Sequence, residues 1–350
     1  MEIRQLHRKL LKWYDAEKRD LPWRASSDPY RIWISEIMLQ QTRVEAVLPY
    51  FQRFTSNFPD VASLAAADPD SVLNLWAGLG YYSRARNLQA AAKQVMADFS
   101  GKFPDDFDKL LSLKGVGPYT AAAIASMAFG KAHCALDGNL ERVFSRLLAE
   151  KEDPKSKGRA AVLALGDSLV GIEKPGDVNQ AVMDLAASVC LPREPRCGEC
   201  PLEAHCEARR LGIQKKLPLK KAKAEKVLLK AEAWAVVSGS ELLLVRRPEG
   251  EWLAGMWDIP WRIVDKDYVR PNAPFGKEFA ACSTPRTITK HKIDFEVRGV
   301  RCEIRPHEAE IRRLCAKADN LRWVRLDELH GINLPRPSEK ALGKILPKLN

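Results

Sequence analysis

Leu113-Lys-Gly115-Val-Gly117-Pro-Tyr119-Thr-Ala-Ala-Ala-Ile124 joins two apolar helical stretches through a pair of glycines. Gly115 and Gly117 are expected to let the backbone turn tightly, leaving amide N–H groups exposed where the next helix starts. That arrangement accepts a phosphate without reading sequence. An ordinary helical corner would need the glycines but not the Thr-Ala-Ala run, whose small side chains let two helices pack closely.

The surroundings of this corner are helical almost throughout from Met1 to about Arg210. Apolar residues recur at three- and four-residue steps, as in Leu6, Leu10, Trp13 and again Leu110, Leu113. Asp28-Pro29 supplies an N-cap and a first-turn proline ahead of Tyr30 to Gln40. Pro49, Pro59, Pro69 and Pro104 are expected at or beside element boundaries. The 350 residues carry 56 Lys and Arg against 45 Asp and Glu, a net charge of +11. Such a balance favours a polyanionic partner, nucleic acid before membrane. With that charge, the corner reads as the helix–hairpin–helix of non-specific DNA binders. No stretch of about 18 apolar residues occurs, and Met1 does not open a signal peptide, so no membrane association and a bacterial cytoplasm are expected.

Two carboxylates stand out. Asp137 precedes the turn Gly138-Asn139 and reads first as the cap of the helix that follows. A capping aspartate is also aimed by the backbone and expected to stay ionised, so capping and catalysis are compatible. Glu36 lies in the run Trp33 to Leu39, apolar apart from Ser35 and itself. A glutamate on an amphipathic helix is usually surface decoration, but these neighbours predict a raised pKa and a proton available near neutral pH.

Cys190, Cys197, Cys200 and Cys206 crowd into one basic loop region. Four thiolates at this spacing suit an iron–sulfur cluster or a zinc ion, with a disulfide framework as the third choice. Only Cys197 and Cys200 form the short pair that structural zinc favours. Cys134, Cys282, Cys302 and Cys315 are scattered singly and read as reduced thiols.

Beyond the cysteines a lysine- and arginine-rich stretch with Pro218 reads as a solvated linker over 208–226 that also suits phosphate. From Val227 the texture becomes strand-like, in Val227–Val237, Ser240–Val245 and Ile293–Val300. Two domains follow, one mainly helical over 1–207 and a smaller α+β or mainly β one over 227–350.

Taken together, Ser35-Glu-Ile-Met-Leu-Gln-Gln-Thr42, the hairpin, Asp137-Gly-Asn139 and the four cysteines occur in this order in the endonuclease III superfamily of DNA glycosylases, which the chain resembles. Leu21-Pro-Trp-Arg24, Gly78-Leu-Gly-Tyr81-Tyr-Ser-Arg-Ala-Arg86 and Asn179-Gln180-Ala181 narrow the resemblance to the MutY family of adenine DNA glycosylases. It is dense over 1–210 and looser through Val245-Arg-Arg-Pro248 and Leu253–Pro260. The resemblance implies a helix–hairpin–helix domain with a [4Fe-4S] loop on the four cysteines, followed by a Nudix-like domain.

It also implies an activity: extrusion of adenine mispaired with 8-oxoguanine or guanine in double-stranded DNA, and hydrolysis of its glycosidic bond in base excision repair. Glu36 would protonate the base at N7, with Tyr119 holding that proton in place. Asp137 would stabilise the oxocarbenium-like sugar, Asn139 would orient the attacking side, and Arg24 and Gln180 would contact the base. Gln41 and Tyr81 match residues that wedge into the helix stack, though packing is the plain reading of each. Bifunctional relatives carry a lysine six residues after the leading leucine of the hairpin. Here that position is Tyr119, which cannot form an imine, so strand-cleaving lyase activity is not expected. A family lysine near the aspartate is here Glu141.

In this family the second domain reads 8-oxoguanine through a Phe-Ser-His loop, matched here by Ile288-Thr289-Lys290 with His291 one place later. Thr289 keeps the hydroxyl, whereas a lone histidine beside lysine is more often a surface residue. No Nudix signature of glutamates is present, so a second hydrolase is not expected. Competing readings are a thymine-mismatch or oxidised-pyrimidine glycosylase on the same scaffold, or a non-catalytic cluster-bearing DNA-binding protein. A monomer is expected, and a clamp or mismatch-repair contact is compatible with the resemblance.

Overall fold

A computed structural model describes residues 2–219, 226–248, 250–265, 268, 273–315, 320–332 and 334–349. The chain forms two compact units, Met1–Ala222 and Lys223–Asn350. Residues 220–225 of the expected linker lie outside the described residues. Its earlier part is exposed at Arg209, Arg210, Leu211, Gly212, Lys215, Lys216 and Leu219 but anchored at buried Ala208 and Leu217, whose carbonyl accepts from Arg146 Nε. Among the described residues, no helix is long and apolar enough to cross a membrane.

The first unit is built from α1 (Ile3–Glu17), α2 (Pro29–Leu39), α3 (Val44–Asn57), α4 (Val61–Ala66), α5 (Pro69–Leu75), α6 (Ser83–Asp98), α7 (Phe107–Leu111), α8 (Pro118–Phe129), α9 (Gly138–Leu148), α10 (Arg159–Val170), α11 (Pro175–Ser188) and α12 (Glu207–Arg210). Asp28 caps α2, its Oδ1 accepting from the Tyr30 amide at 2.9 Å, with Pro29 at the first helical position. Such a cap is worth about 1 kcal/mol. Pro59 and Pro104 lie between helices and Pro69 opens α5, but Pro49 sits inside α3 rather than at a boundary. It falls on the sixth residue, where its missing N–H costs α3 one ladder bond to Glu45 near an exposed helix start.

Two apolar cores organise these helices. One gathers α2 to α6 and α8 around Trp33, Phe51, Phe54 and Trp76, all fully buried. The other gathers α1, α9, α10 and α11 and packs against Cys190, Cys200 and Cys206. Each such aromatic contributes roughly 2–3 kcal/mol on leaving water. Leu21, Trp23 and Ile32 of the first core and Met183, packed against the second, line a common hollow.

The second unit contains β1 (Val227–Ser238), β2 (Glu241–Arg246), β3 (Trp257–Asp258), β4 (Trp261–Val264), β5 (Lys277–Ile288), β6 (His291–Arg301), α13 (Glu308–Leu314), β7 (Asn320–Arg325) and α14 (Arg336–Ile345). The sheet runs β3-β2-β1-β6-β5, with β4 beside β1 and β7 beside β2. β1 and β6 are parallel, and the remaining pairs are antiparallel. Period-two burial of β1 divides the packing. Ala231, Ala233, Ala235 and Val237 face a core shared with Ala341, Leu342 and Ile345 of α14. Trp234 and Val236 face one shared with Ile311 of α13. A helix therefore covers each face of a mixed sheet.

Candidate active site

A cavity of about 940 Å³ opens in the first unit. Leu21, Trp23, Arg24, Glu36, Gln41, Tyr119, Asp137, Asn139 and Gln180 are among its lining residues. The hollow thus brings together seven of the residues singled out from sequence, drawn from segments that are distant along the chain.

Glu36 sits in the middle of α2, 4% exposed, with Ile32 and Leu39 beside it on the cavity wall. The hydroxyl of Tyr119, in the first turn of α8, donates to Glu36 Oε2 at 2.5 Å. Burial pushes the Glu36 carboxyl up to about 7; the Tyr119 hydrogen bond and the Arg24 charge oppose that rise, and the Asp137 charge adds to it. Burial, and then the charges of Glu36 and Asp137, hold the Tyr119 phenol well above its ordinary value. At neutral pH the pair therefore has a protonated acid available beside a neutral phenol.

Asp137 caps α9, its Oδ1 accepting from the amides of Asn139 at 2.9 Å and Leu140 at 2.8 Å. The Asn139 side-chain amide donates to Oδ2 at 2.9 Å. Burial raises its pKa from the usual aspartate value, and the three donors together with Arg142 offset that rise only in part. Asn139 accepts in turn from Arg142 Nη1 at 3.1 Å. The same guanidinium donates to the carbonyls of Cys190 at 2.9 Å and Ala186 at 2.9 Å. Arg142 thereby ties the Asp137–Asn139 corner to the first cysteine of the loop, a link that sequence spacing did not suggest. Glu141 is buried, with Oε1 3.6 Å from Arg159 Nη1.

Gln180 on α11 receives a hydrogen bond from the Tyr14 hydroxyl on its Oε1 at 3.3 Å, leaving its amide nitrogen as donor. Arg24 lines the cavity, but both of its terminal nitrogens are taken by Asp184, a buried residue the sequence reading passed over. Any base contact from Arg24 must be made alongside that ion pair.

Gln41, Tyr81 and the hairpin lie toward solvent. Gln41 (φ 59°) and Tyr81 (φ 51°) are exposed and left-handed, a conformation that non-glycine residues rarely adopt. Gly115 (φ 76°) is required for a second reason, since an added Cβ would stand 2.6 Å from the Asn87 Cβ. Gly117 departs from the sequence expectation. It is extended, caps α8 and needs no left-handed freedom; its value is open space, with nothing within 4 Å of a built Cβ. That openness leaves a ligand free to approach the backbone.

The four cysteine thiols converge at one end of α9. Arg146 Nη1 donates to Cys190 Sγ at 3.2 Å and the Cys206 thiol to the Arg146 carbonyl at 3.4 Å. Burial first, and then the charges of Cys190, Cys206 and Cys197, push the Cys200 thiol up to about 12. Among the described residues, no three Cys, His, Asp or Glu are gathered tightly enough to hold a single metal ion. In the second unit Thr289 (φ 52°) occupies the exposed turn between β5 and β6, with its Oγ1 3.4 Å from His291 Nδ1. The His291 ring lies 4.8 Å from that of Trp252.

Comparison with known proteins agrees with this geometry. Residues 34–165 match the profile of the HhH-GPD superfamily base excision DNA repair proteins, and residues 232–344 that of the NUDIX domain. The chain is 37% identical over 318 residues to the adenine DNA glycosylase of Homo sapiens, covering 74% of this chain and 58% of that protein. Identity is 38% over 235 residues to that of Buchnera aphidicola subsp. Acyrthosiphon pisum, covering 65% of each. The chain spans about half to three fifths of the length of the human, Arabidopsis thaliana and mouse relatives. Among solved structures, a thermostable thymine-DNA glycosylase is 29% identical with a TM-score of 0.55, covering 60% of this chain and 97% of that one. Endonuclease III in a non-covalent DNA complex shares the fold at 22% identity and a TM-score of 0.50, covering 61% of this chain and 100% of that one.

Proposed function

The chain belongs to the HhH-GPD superfamily of base excision DNA repair proteins, as a MutY-type member, and from that premise we propose that it hydrolyses the glycosidic bond of adenine mispaired with 8-oxoguanine or guanine in duplex DNA. The observation that carries the reading is the buried Glu36, hydrogen-bonded by Tyr119, facing the same cavity as Asp137. Adenine turned into the hollow meets a carboxylic acid whose pKa matches neutral pH. Glu36 transfers its proton to the purine N7, so the leaving group departs neutral. Positive charge then develops on the deoxyribose, and the Asp137 carboxylate stabilises it. Water completes the hydrolysis on the side that Asn139 and Asp137 define. Tyr119 supplies no amine, so no imine forms and the strand stays whole.

Cys190, Cys197, Cys200 and Cys206 would hold a [4Fe-4S] cluster. Four thiols near enough to act on one another, with Arg146 donating to Cys190 Sγ and Arg142 to its carbonyl, make the soft, positively flanked donor set that such a group needs. The group would supply structure, fixing the loop behind Asn139. The exposed turn at Thr289 is the proposed reader of the base opposite adenine.

The deciding assay uses duplexes with A opposite 8-oxoguanine, A opposite G, T opposite G, and thymine glycol, scored for base loss before and after alkali. Free adenine, with strands broken only after alkali, is expected. Release of thymine instead would assign the chain to the activity named for its 29% identical structural relative.

A further inference from the structure

Arg84, in the first turn of α6, is buried between the loops that carry Gln41 and Tyr81. Its Nη1 donates to the carbonyls of Ile37 at 2.8 Å, Met38 at 2.9 Å and Gln40 at 2.7 Å, the open C-terminal end of α2. Its Nη2 donates to the carbonyls of Leu79 at 3.1 Å and Gly80 at 3.0 Å and reaches Thr42 Oγ1 at 3.4 Å. All of these acceptors are neutral, so a full positive charge is spent on two chain turns rather than on a carboxylate. Trp76 lies 5.3 Å from the guanidinium, and its Nε1 also donates to the Gly80 carbonyl, at 3.2 Å.

These partners bracket both exposed side chains. Gln40 and Thr42 flank Gln41. Leu79 and Gly80 precede Tyr81, whose own carbonyl accepts from the Arg84 amide at 2.9 Å and whose ring lies 5.6 Å from the guanidinium. Gln41 and Tyr81 are also the two non-glycine residues with left-handed backbone in these turns, and such backbone persists only where its surroundings over-determine it. One planar fork supplies that determination to both turns at once, which a lysine ammonium cannot do.

We propose that Arg84 is a positioning residue for base extrusion, coupling the turn after α2 to the turn before α6 so that Gln41 and Tyr81 enter the duplex as one rigid wedge. The inference rests on the reading of these two side chains as wedges in a base-extruding glycosylase.

The test combines the fluorescence of 2-aminopurine at the target position, which rises when the base leaves the stack, with single-turnover release of adenine opposite 8-oxoguanine. Wild type, R84M, R84K, Q41A/Y81A and Q41A/Y81A/R84M are compared. R84M and R84K are expected to lose most of the fluorescence rise and to slow release by about tenfold or more. In the Q41A/Y81A background, R84M is expected to add less than about twofold, because Arg84 acts through those residues. Wild-type extrusion by R84K overturns the proposal, as does an R84M effect undiminished in the Q41A/Y81A background. If circular dichroism shows R84M unfolded, R84K decides alone. A wild-type protein that extrudes 2-aminopurine but releases no adenine would sink the functional reading and leave Arg84 still measurable.

Discussion

Asp184 grips Arg24 through both carboxylate oxygens, Oδ2 at 2.7 Å from Nη1 and Oδ1 at 2.9 Å from Nη2, and it also accepts from Arg19 Nε at 2.7 Å. Burial pushes the Asp184 pKa up, but the hydrogen bonds and charge of Arg24, aided by Arg19, carry it below the usual value. This depressed acid stabilises the fold above the ordinary aspartate range near pH 3.9, and that contribution is lost as pH falls through the folded value. Asp184→Asn leaves Arg24 unpaired, at a cost of about 3–5 kcal/mol read by urea unfolding at neutral pH. The unpaired cation should also lower the Glu36 pKa, because Arg24 already acts on Glu36 in that direction. The alkaline limb of the excision profile is then expected to move to lower pH.

In the wild type, single-turnover adenine release should fall as pH rises through about 7, where the Glu36 proton is lost. Glu36→Gln is isosteric and cannot give up a proton to the purine. Release should drop by about 10²–10⁴-fold while mispair binding in a gel-shift assay is kept. Undiminished release by this variant would remove Glu36 from the chemistry.

Tyr119→Phe deletes the donor at 2.5 Å. That hydrogen bond favours the ionised carboxylate, so its loss should raise the Glu36 pKa above about 7 and shift the alkaline limb upward, the opposite of Asp184→Asn. The maximal rate should still fall, by about tenfold, because the acid is no longer aimed. Rate–pH curves of the two variants measured side by side check both signs.

Cys190→Ser should lose any visible charge-transfer absorbance of a bound cluster and lower the melting temperature. Since Arg142 joins the Cys190 carbonyl to Asn139, excision should decline further than DNA affinity does. Equal loss of both would argue that the loop serves DNA contact alone.

Thr289→Ala removes the hydroxyl at the β5–β6 turn and nothing from either core. Discrimination between 8-oxoguanine and guanine opposite adenine should shrink by about 1 kcal/mol, or roughly fivefold. Excision from the A opposite G duplex should be unchanged.

The parts of the site legible beforehand were those whose cause is local. Glu36 betrayed itself through the apolar residues on either side, Asp137 through the turn it caps, and the cysteines through spacing. Asp184, Arg142 and Arg84 were invisible because each matters through a partner far along the chain, Asp184 being 160 residues from Arg24. Pro49 and Gly117 misled because residue type was read as conformation. β5 went unread because Lys277-Glu-Phe-Ala-Ala-Cys-Ser-Thr-Pro-Arg-Thr-Ile288 has little strand propensity. Its place is set by pairing along the length of β6.

Thr289 and Lys290, exposed at the tip of their turn, belong to neither core of the unit, whereas Ile288 packs against one, so replacements at the tip alone should carry little folding penalty. On the proposed reading of this turn, opposite-base preference can be retuned there while the Glu36–Tyr119 pair is left untouched. Selecting libraries at 289–290 should yield altered opposite-base tastes far more often than misfolded chains.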